Sequence, residues 1–203
     1  MILAFDTSSA ACTAALFDGD GRCLAQADEM IGRGHAERVV PMIAELMEGR
    51  SASRILVGVG PGSFTGIRVA IAAAHGLAIG WGAELFGLSS LALLAAAARA
   101  QGPVAGAVRG GHGELFVQQF DGSTVQPTSP LINATPKAAA EQVSAERVIG
   151  SGAAALVEAR GWGEATDLVV SAADTMRLPD ALRTLAPKPV YARAPDARIP
   201  EAA

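Results

Sequence analysis

Aromatic residues are scarce in this chain, 4% of 203 residues, with a single tyrosine and two tryptophans. Its core must therefore be built from small and aliphatic side chains at close range, and 23 glycines and abundant alanine supply them. Lysine is rarer still: only Lys137 and Lys188 occur, neither follows a glycine-rich loop, and a Walker A phosphate loop is excluded. His35, His75 and His112 stand dozens of residues apart, so no His-x-x-x-His pair can place two zinc ligands on one helix face. Gly-x-Ser-x-Gly is also absent; Ser63 comes nearest, but Pro61 and Thr65 hold the offsets where glycines are needed. Cys12 and Cys23 have no CxxC spacing and read as reduced core residues rather than a disulfide. A net charge of −4 gives no field to hold a polyanion, so direct nucleic-acid binding by this chain alone is not expected. The opening Met1–Ser9 lacks the basic and long apolar regions of a secretory leader, and a cytoplasmic location is expected. The apolar stretch from Val69 to Ala98 is broken by His75, Glu84 and glycines before it reaches the ~20 residues of a membrane span.

What is present is a foldable chain, 50% apolar and 18% charged, long enough for one large domain or two small ones. Its start reads as a meander of three strands, Ile2–Phe5, Cys12–Phe17 and Arg22–Ala27, with the turn Asp18-Gly19-Asp20-Gly21 between the last two. In His35–Glu48 the residues Ala36, Val39, Val40, Ile43, Leu46 and Met47 recur at helical spacing, interrupted by Pro41. Adding Met42 widens the apolar stripe to about 160°, broader than one buried face requires. A buried strand at Ile55–Val59 leads through Gly60-Pro61-Gly62-Ser63-Phe64-Thr65-Gly66 into a helix at Ile67–Ile79 that is apolar nearly all round. A strand at Glu84–Leu88 and an alanine-rich helix at Ser89–Ala100, capped by Ser89 or Ser90, complete a ribonuclease-H-like order of elements.

Gln101-Gly102-Pro103 marks a boundary, giving a first subdomain at 1–101, a second at 102–186 and an extended proline-rich tail at 187–203. The second half repeats the grammar more weakly. Strands are expected at Val104–Val108, Leu115–Phe120, Arg147–Ile149 and Leu168–Val170, with an extended stretch at Val125–Ile132 and helices at Pro136–Val143, Ala153–Arg160 and Ala173–Leu185.

Two places could carry chemistry. Asp6-Thr7-Ser8-Ser9 sets a carboxylate and three hydroxyls at a strand end, fit either for a hydrated metal and phosphate oxygens or for capping the turn. The Gly60–Gly66 loop ahead of a helix could cradle an anion on its free amides, or it could be a tight connection whose glycines permit close packing.

Three passages, Ile2-Leu3-Ala4-Phe5-Asp6-Thr7-Ser8, His35-Ala36-Glu37-Arg38-Val39-Val40-Pro41 and Gly60-Pro61-Gly62-Ser63-Phe64-Thr65-Gly66-Ile67-Arg68, closely resemble the TsaB/YeaZ family of bacterial tRNA threonylcarbamoyladenosine biosynthesis. The likeness runs in order through roughly the first hundred residues and continues weakly through Gly113-Glu114-Leu115-Phe116 to Pro189-Val190-Tyr191-Ala192-Arg193. It implies an α/β protein of the actin/Hsp70-like ATPase fold, two ribonuclease-H-like subdomains of which the second is smaller and more divergent. It also implies a non-catalytic dimerisation subunit that pairs with the catalytic paralogue TsaD and works with the ATPase TsaE. In that complex TsaD transfers a threonylcarbamoyl group to the adenosine 3′ of the anticodon. The complex uses ATP and Mg; this chain is expected to need no cofactor of its own and to meet tRNA only through the complex. An exposed apolar face could also make the isolated chain a homodimer.

The strand end and the glycine loop give the nucleotide-binding positions, vestigial in this reading, at Asp6, Thr7, Ser8, Gly60, Gly62, Ser63 and Thr65. The resemblance places the partner interface on the two apolar helices, at His35, Val39, Val40, Ile43, Leu46, Met47, Ile71, Ala74, His75 and Ala78, although burial of both helices within the monomer would explain the same pattern. No catalytic or metal residue is expected: Leu88-Ser89-Ser90-Leu91-Ala92 stands where the paralogue carries metal-binding histidines, and Arg109-Gly110-Gly111 replaces the family's Asp-Ala-Arg. The alternative is a Mg-ATP-dependent phosphotransferase of the same fold using Asp6 and the Gly60 loop. The peptidase label the family once carried would need a metal site that the histidine spacing does not supply.

Overall fold

A computed structural model describes residues 1–191. Ten strands form two five-stranded sheets. The first contains β1 (Ile2–Asp6), β2 (Ala11–Phe17), β3 (Cys23–Met30), β4 (Arg54–Gly58) and β5 (Glu84–Leu88), in the order β3-β2-β1-β4-β5. The second contains β6 (Pro103–Arg109), β7 (Leu115–Asp121), β8 (Ile132–Ala134), β9 (Arg147–Ile149) and β10 (Glu164–Thr166), in the order β10-β9-β6-β7-β8. In each sheet the first three strands make an antiparallel meander and the last two run parallel to the first. The same ribonuclease-H-like order thus occurs twice, and the duplication is the actin/Hsp70-like architecture.

Alternation along the strands divides the core. Leu3 and Phe5 of β1, with Cys12, Ala14 and Leu16 of β2, face α1 (His35–Met47) and α2 (Phe64–Trp81) on the outer side of the first sheet. Ala4, Ala15, Phe17 and Leu56 face inward onto α3 (Ser90–Ala97), whose opposite side meets Val104 and Phe120 of the second sheet. Every residue of α3 from Ser90 to Ala96 is buried, and three of the seven are alanines, which lets both sheets close on one thin helix. Gly106 belongs to the same close approach, since a Cβ there would stand 3.2 Å from Leu91 Cδ2. A third cluster packs α4 (Pro136–Ala140) and α5 (Ala153–Arg160) onto the outer side of the second sheet.

Several expectations need correction. β3 extends to Met30, because its side chains from Leu24 onward alternate in burial along an edge strand and no turn residue interrupts the ladder until Gly32. Cys23 is exposed on that edge, not in the core. The predicted strand at Leu168–Val170 lies instead at Glu164–Thr166, paired with β9. In place of one helix over Ala173–Leu185 there is a 3₁₀ segment, Ala172–Arg177, and a single turn α6 (Asp180–Arg183), because Pro179 cannot continue a helix and holds Leu178 extended. Within Val125–Ile132, Val125 has φ of +57° and only Ile132 enters a strand.

The course of the chain after β10 also departs from the expected division. Ala172 N donates to Thr13 Oγ1 of β2 at 2.7 Å, and Ser171 Oγ donates to Asp28 of β3 at 2.9 Å. Buried Asp174 accepts from Arg99 at 2.9 Å. Gly87 and Leu185 exchange both backbone hydrogen bonds, at 2.7 and 3.0 Å, which extends the first sheet past β5. Residues 171–185 therefore pack on the first half although they follow the second. Of the predicted tail, residues 187–191 continue along the same surface, Val190 N donating to Val59 O at 2.8 Å; 192–203 lie outside the described residues.

Thr13 is the buried hinge of this return, donating to Asp28 while accepting from Ala172 N. Thr13→Val strands that N–H, and urea unfolding should show a loss of about 1–3 kcal/mol. Burial raises the Cys12 thiol to about 11, keeping it protonated and unreactive at neutral pH. Alkylation of the native protein should label Cys23 alone, and Cys12 only after unfolding.

Candidate functional site

β1 delivers Asp6 to the carboxyl end of the first sheet, behind the wall of the cleft between the halves. Asp6 is fully buried and committed on both oxygens. Oδ1 accepts from Ser8 N at 2.6 Å and Ser8 Oγ at 2.7 Å; Oδ2 accepts from Ser90 Oγ at 2.5 Å, and Ser90 Oγ accepts in turn from Gly60 N at 3.1 Å. Thr7 Oγ1 donates to Gly66 O at 2.7 Å. The carboxylate thus ties the turn after β1, the glycine loop and the start of α3 into one knot.

The glycines fit the close-packing reading of the loop. A Cβ on Gly58 would lie 1.9 Å from Asp6 Oδ2, one on Gly62 2.3 Å from Ser8 O, and one on Gly66 1.9 Å from Thr7 O. They are needed because the loop lies directly on the turn behind it, which is the close-packing alternative. Of the predicted nucleotide positions, Ser8, Gly62, Ser63 and Thr65 line the cleft, while Asp6, Thr7 and Gly60 sit behind its wall. Ser63 Oγ caps α2 by accepting from Gly66 N at 3.2 Å.

The cleft has a volume of about 720 Å³ and brings Arg33 and Arg109 from the two halves to one space. Arg109 ends β6 and is held by Ser151, its Nε donating to Ser151 O at 2.9 Å. Among the described residues no cluster of three or more His, Cys, Asp or Glu side chains could hold a metal ion.

The second candidate surface is the outer side of α1 and α2. Val39, Ile43, Met47, Ile71 and Ala74, expected at the partner interface, are buried in the chain's own core because they face β1, β2 and β4. For these five, burial within the monomer is the correct reading. His35 is half-buried, with its Nε2 3.2 Å from Ala11 O, and Leu46 and Ala78 are half-buried. Val40 is 46% exposed and His75 is exposed.

Residues missed in the sequence reading complete this face. On α2, Phe64, Arg68, Ala72, His75, Gly76, Ile79 and Gly80 are exposed and fall within about 160° of the helix, opposite Ile67, Ala70, Ile71 and Ala74. Ile79 is 84% exposed, and nothing lies within 4 Å of a Cβ built on Gly76 or Gly80. On α1, Ala36, Val40 and Ala44 continue the open side. The signal was available: an all-apolar helix has two apolar faces, and only one can meet the sheet. By length and composition α2 could cross a membrane, yet its inner face is fixed to β4 and β1, and 28% of it is buried. Arg38 clamps the flank of α1, with its guanidinium 2.6 Å from Glu29 of β3 and 2.8 Å from Glu45; hydrogen bonding to Arg38 lowers both carboxyls.

Two ribonuclease-H-like halves around a cleft, with the first-strand aspartate hydrogen-bonded behind its wall, define a member of the actin-like ATPase architecture. The chain belongs to the TsaB/YeaZ family. A family model described as TsaD, tRNA N6-adenosine threonylcarbamoyltransferase, matches residues 28–128. The crystal structure of an uncharacterised protein with similarity to peptidase YEAZ from Pseudomonas aeruginosa superposes with TM-score 0.78 at 30% identity, covering 95% of this chain and 99% of that one. YeaZ from Pseudomonas aeruginosa gives TM-score 0.78 at 28% identity, covering 94% and 98%. The tRNA threonylcarbamoyladenosine biosynthesis protein TsaB of Escherichia coli (strain K12) is 38% identical over 99 residues, 46% of this chain and 42% of that protein. TsaB of Haemophilus influenzae is 37% identical over 103 residues, 48% and 42% respectively. These matches span less than half the length of the curated relatives.

Two glycines on α2 should respond in opposite directions to alanine. Gly66→Ala drives a Cβ into Thr7 O and should destabilise by about 1–3 kcal/mol or more. Gly76→Ala meets open space inside a helix and should stabilise the isolated chain by about 0.5–1 kcal/mol, both read by denaturant unfolding.

Proposed function

We propose that this chain is a non-catalytic subunit of tRNA threonylcarbamoyladenosine biosynthesis that docks through the outer faces of α1 and α2 on a TsaD-type catalytic paralogue. The observation that carries the reading is the open apolar side of these helices, with Val40 and Ile79 projecting from a surface of alanine and glycine. Small residues allow helix backbones to approach closely, and apolar surface of this kind is stabilised when a partner removes it from water. The locked Asp6 supports the non-catalytic part: a phosphotransferase needs that carboxylate free for a hydrated metal, and here Ser8 and Ser90 occupy it. The names of the curated relatives support the pathway.

In this reading ATP and Mg serve the complex, a TsaE-type ATPase joins it, and tRNA is met only there. Isolated, the chain can cover the same face with a second copy of itself. The site of action is the cytoplasm.

The test is light scattering after size exclusion of this chain with the TsaD-type paralogue of the same organism. A stable mixed complex is expected, and Val40→Asp and Ile79→Asp should each weaken it by about tenfold or more. Stability of the isolated variants should stay within about 0.5 kcal/mol of the parent, because both side chains already face water. Undiminished assembly by both variants contradicts the interface. Saturable Mg-ATP binding with phosphotransfer by the isolated chain contradicts the non-catalytic role.

A further inference from the structure

One end of the α2 face carries a cluster unlike the small residues beside it. Phe64, in the first turn, is 53% exposed; Tyr191, the chain's single tyrosine, is 47% exposed, and their ring centroids lie 5.5 Å apart. The Arg68 guanidinium lies 3.7 Å from the Phe64 centroid, and its Nε donates to the Tyr191 hydroxyl at 3.0 Å. Residues 186–191 hold Tyr191 there: Leu185 pairs with Gly87, and Val190 N donates to Val59 O at 2.8 Å. In a chain with so few aromatics, two half-exposed rings and a guanidinium are thus stacked in advance at the head of the line Arg68, Ala72, His75, Ile79. Among the described residues no carboxylate pairs with Arg68. Among those residues its charge meets two rings and a hydroxyl, and the exposed guanidinium carries further N–H donors.

We infer that Phe64, Arg68 and Tyr191 form the anchoring point of the docking face, assembled by the 186–191 segment, and that the partner offers a carboxylate to Arg68 and an apolar side chain to the two rings. This rests on the pairing function proposed above and adds the residues and chemistry that orient the partner. Aromatic and arginine side chains carry a disproportionate share of interface energy when already ordered, since little side-chain freedom remains to be lost. A partner carboxylate on Arg68 fixes the direction of approach, which the smooth alanine and glycine surface cannot do.

The experiment is calorimetric titration of the TsaD-type paralogue into the full chain at low and high salt, using the parent, Arg68→Ala, Tyr191→Ala, Tyr191→Phe and Ile79→Asp, with thermal unfolding of each variant alone. Arg68→Ala and Tyr191→Ala should weaken binding by about tenfold or more. Arg68→Ala should also flatten the salt dependence, a readout that a merely structural role would not move. Tyr191→Phe keeps the ring and should lose less than Tyr191→Ala. If Ile79→Asp abolishes binding while Arg68→Ala and Tyr191→Ala stay within about twofold of the parent, the anchoring point is wrong and the helix face stands. An unchanged salt slope in Arg68→Ala overturns the carboxylate contact. If the parent chain does not bind, the pairing function fails and the anchor fails with it.

Discussion

A single buried carboxylate holds the centre of this protein together. Asp6 draws the turn after β1, the glycine loop after β4 and the first residue of α3 into one hydrogen-bonded unit. An unpaired carboxylate in such surroundings would be very costly, and the donors of Ser8 and Ser90 satisfy it instead. The arrangement demands close approach, which is why Gly58, Gly62 and Gly66 have no room for side chains. Because Ser90 caps the knot and begins α3, the position of the helix that separates the two sheets follows from the same bonds. A residue that could serve chemistry in a wider cleft is here a structural post.

The two sides of the first sheet are finished differently. Its inner side is closed by α3, where alanine lets both sheets come within reach of one helix. On its outer side α1 and α2 give one face to the sheet and keep another open. With few aromatics to fill volume, the chain relies on thin contacts repeated over long elements, and the open faces of α1 and α2 use the same small residues. The cluster of Phe64, Arg68 and Tyr191 is the exception, bulky, charged and already assembled.

Strand periodicity and turn chemistry made the first half legible: the meander, both outer helices and the Ser89 cap of α3 fall where pattern and capping place them. What could not be read was which side of an all-apolar helix meets the sheet. Val39 and Ile43 look no different from Val40 in the sequence, and only the direction of each Cβ against β1 and β2 separates them. Asp6 posed the same difficulty, since a carboxylate beside hydroxyls suits a metal or a cap equally well until Ser90, distant in sequence, is placed against it. The region after Val170 was the least legible, because its short turns are fixed by Thr13, Asp28, Gly87 and Arg99, partners far along the chain that leave no local period.

That returning segment has a consequence for how the protein is made. On the ribosome the residues of the first half emerge well before Ser171–Leu185, so for most of synthesis β5 has an unpaired outer edge and Thr13 lacks its partner. The amino-terminal half lacks these contacts while translation passes through the second. With chain growth at roughly 5–20 residues per second, its exposed edge and apolar helices wait several seconds for Leu185, which bridges to Gly87. The open faces of α1 and α2 are thus offered in the nascent chain before Leu185 has paired with the edge of the sheet beneath them.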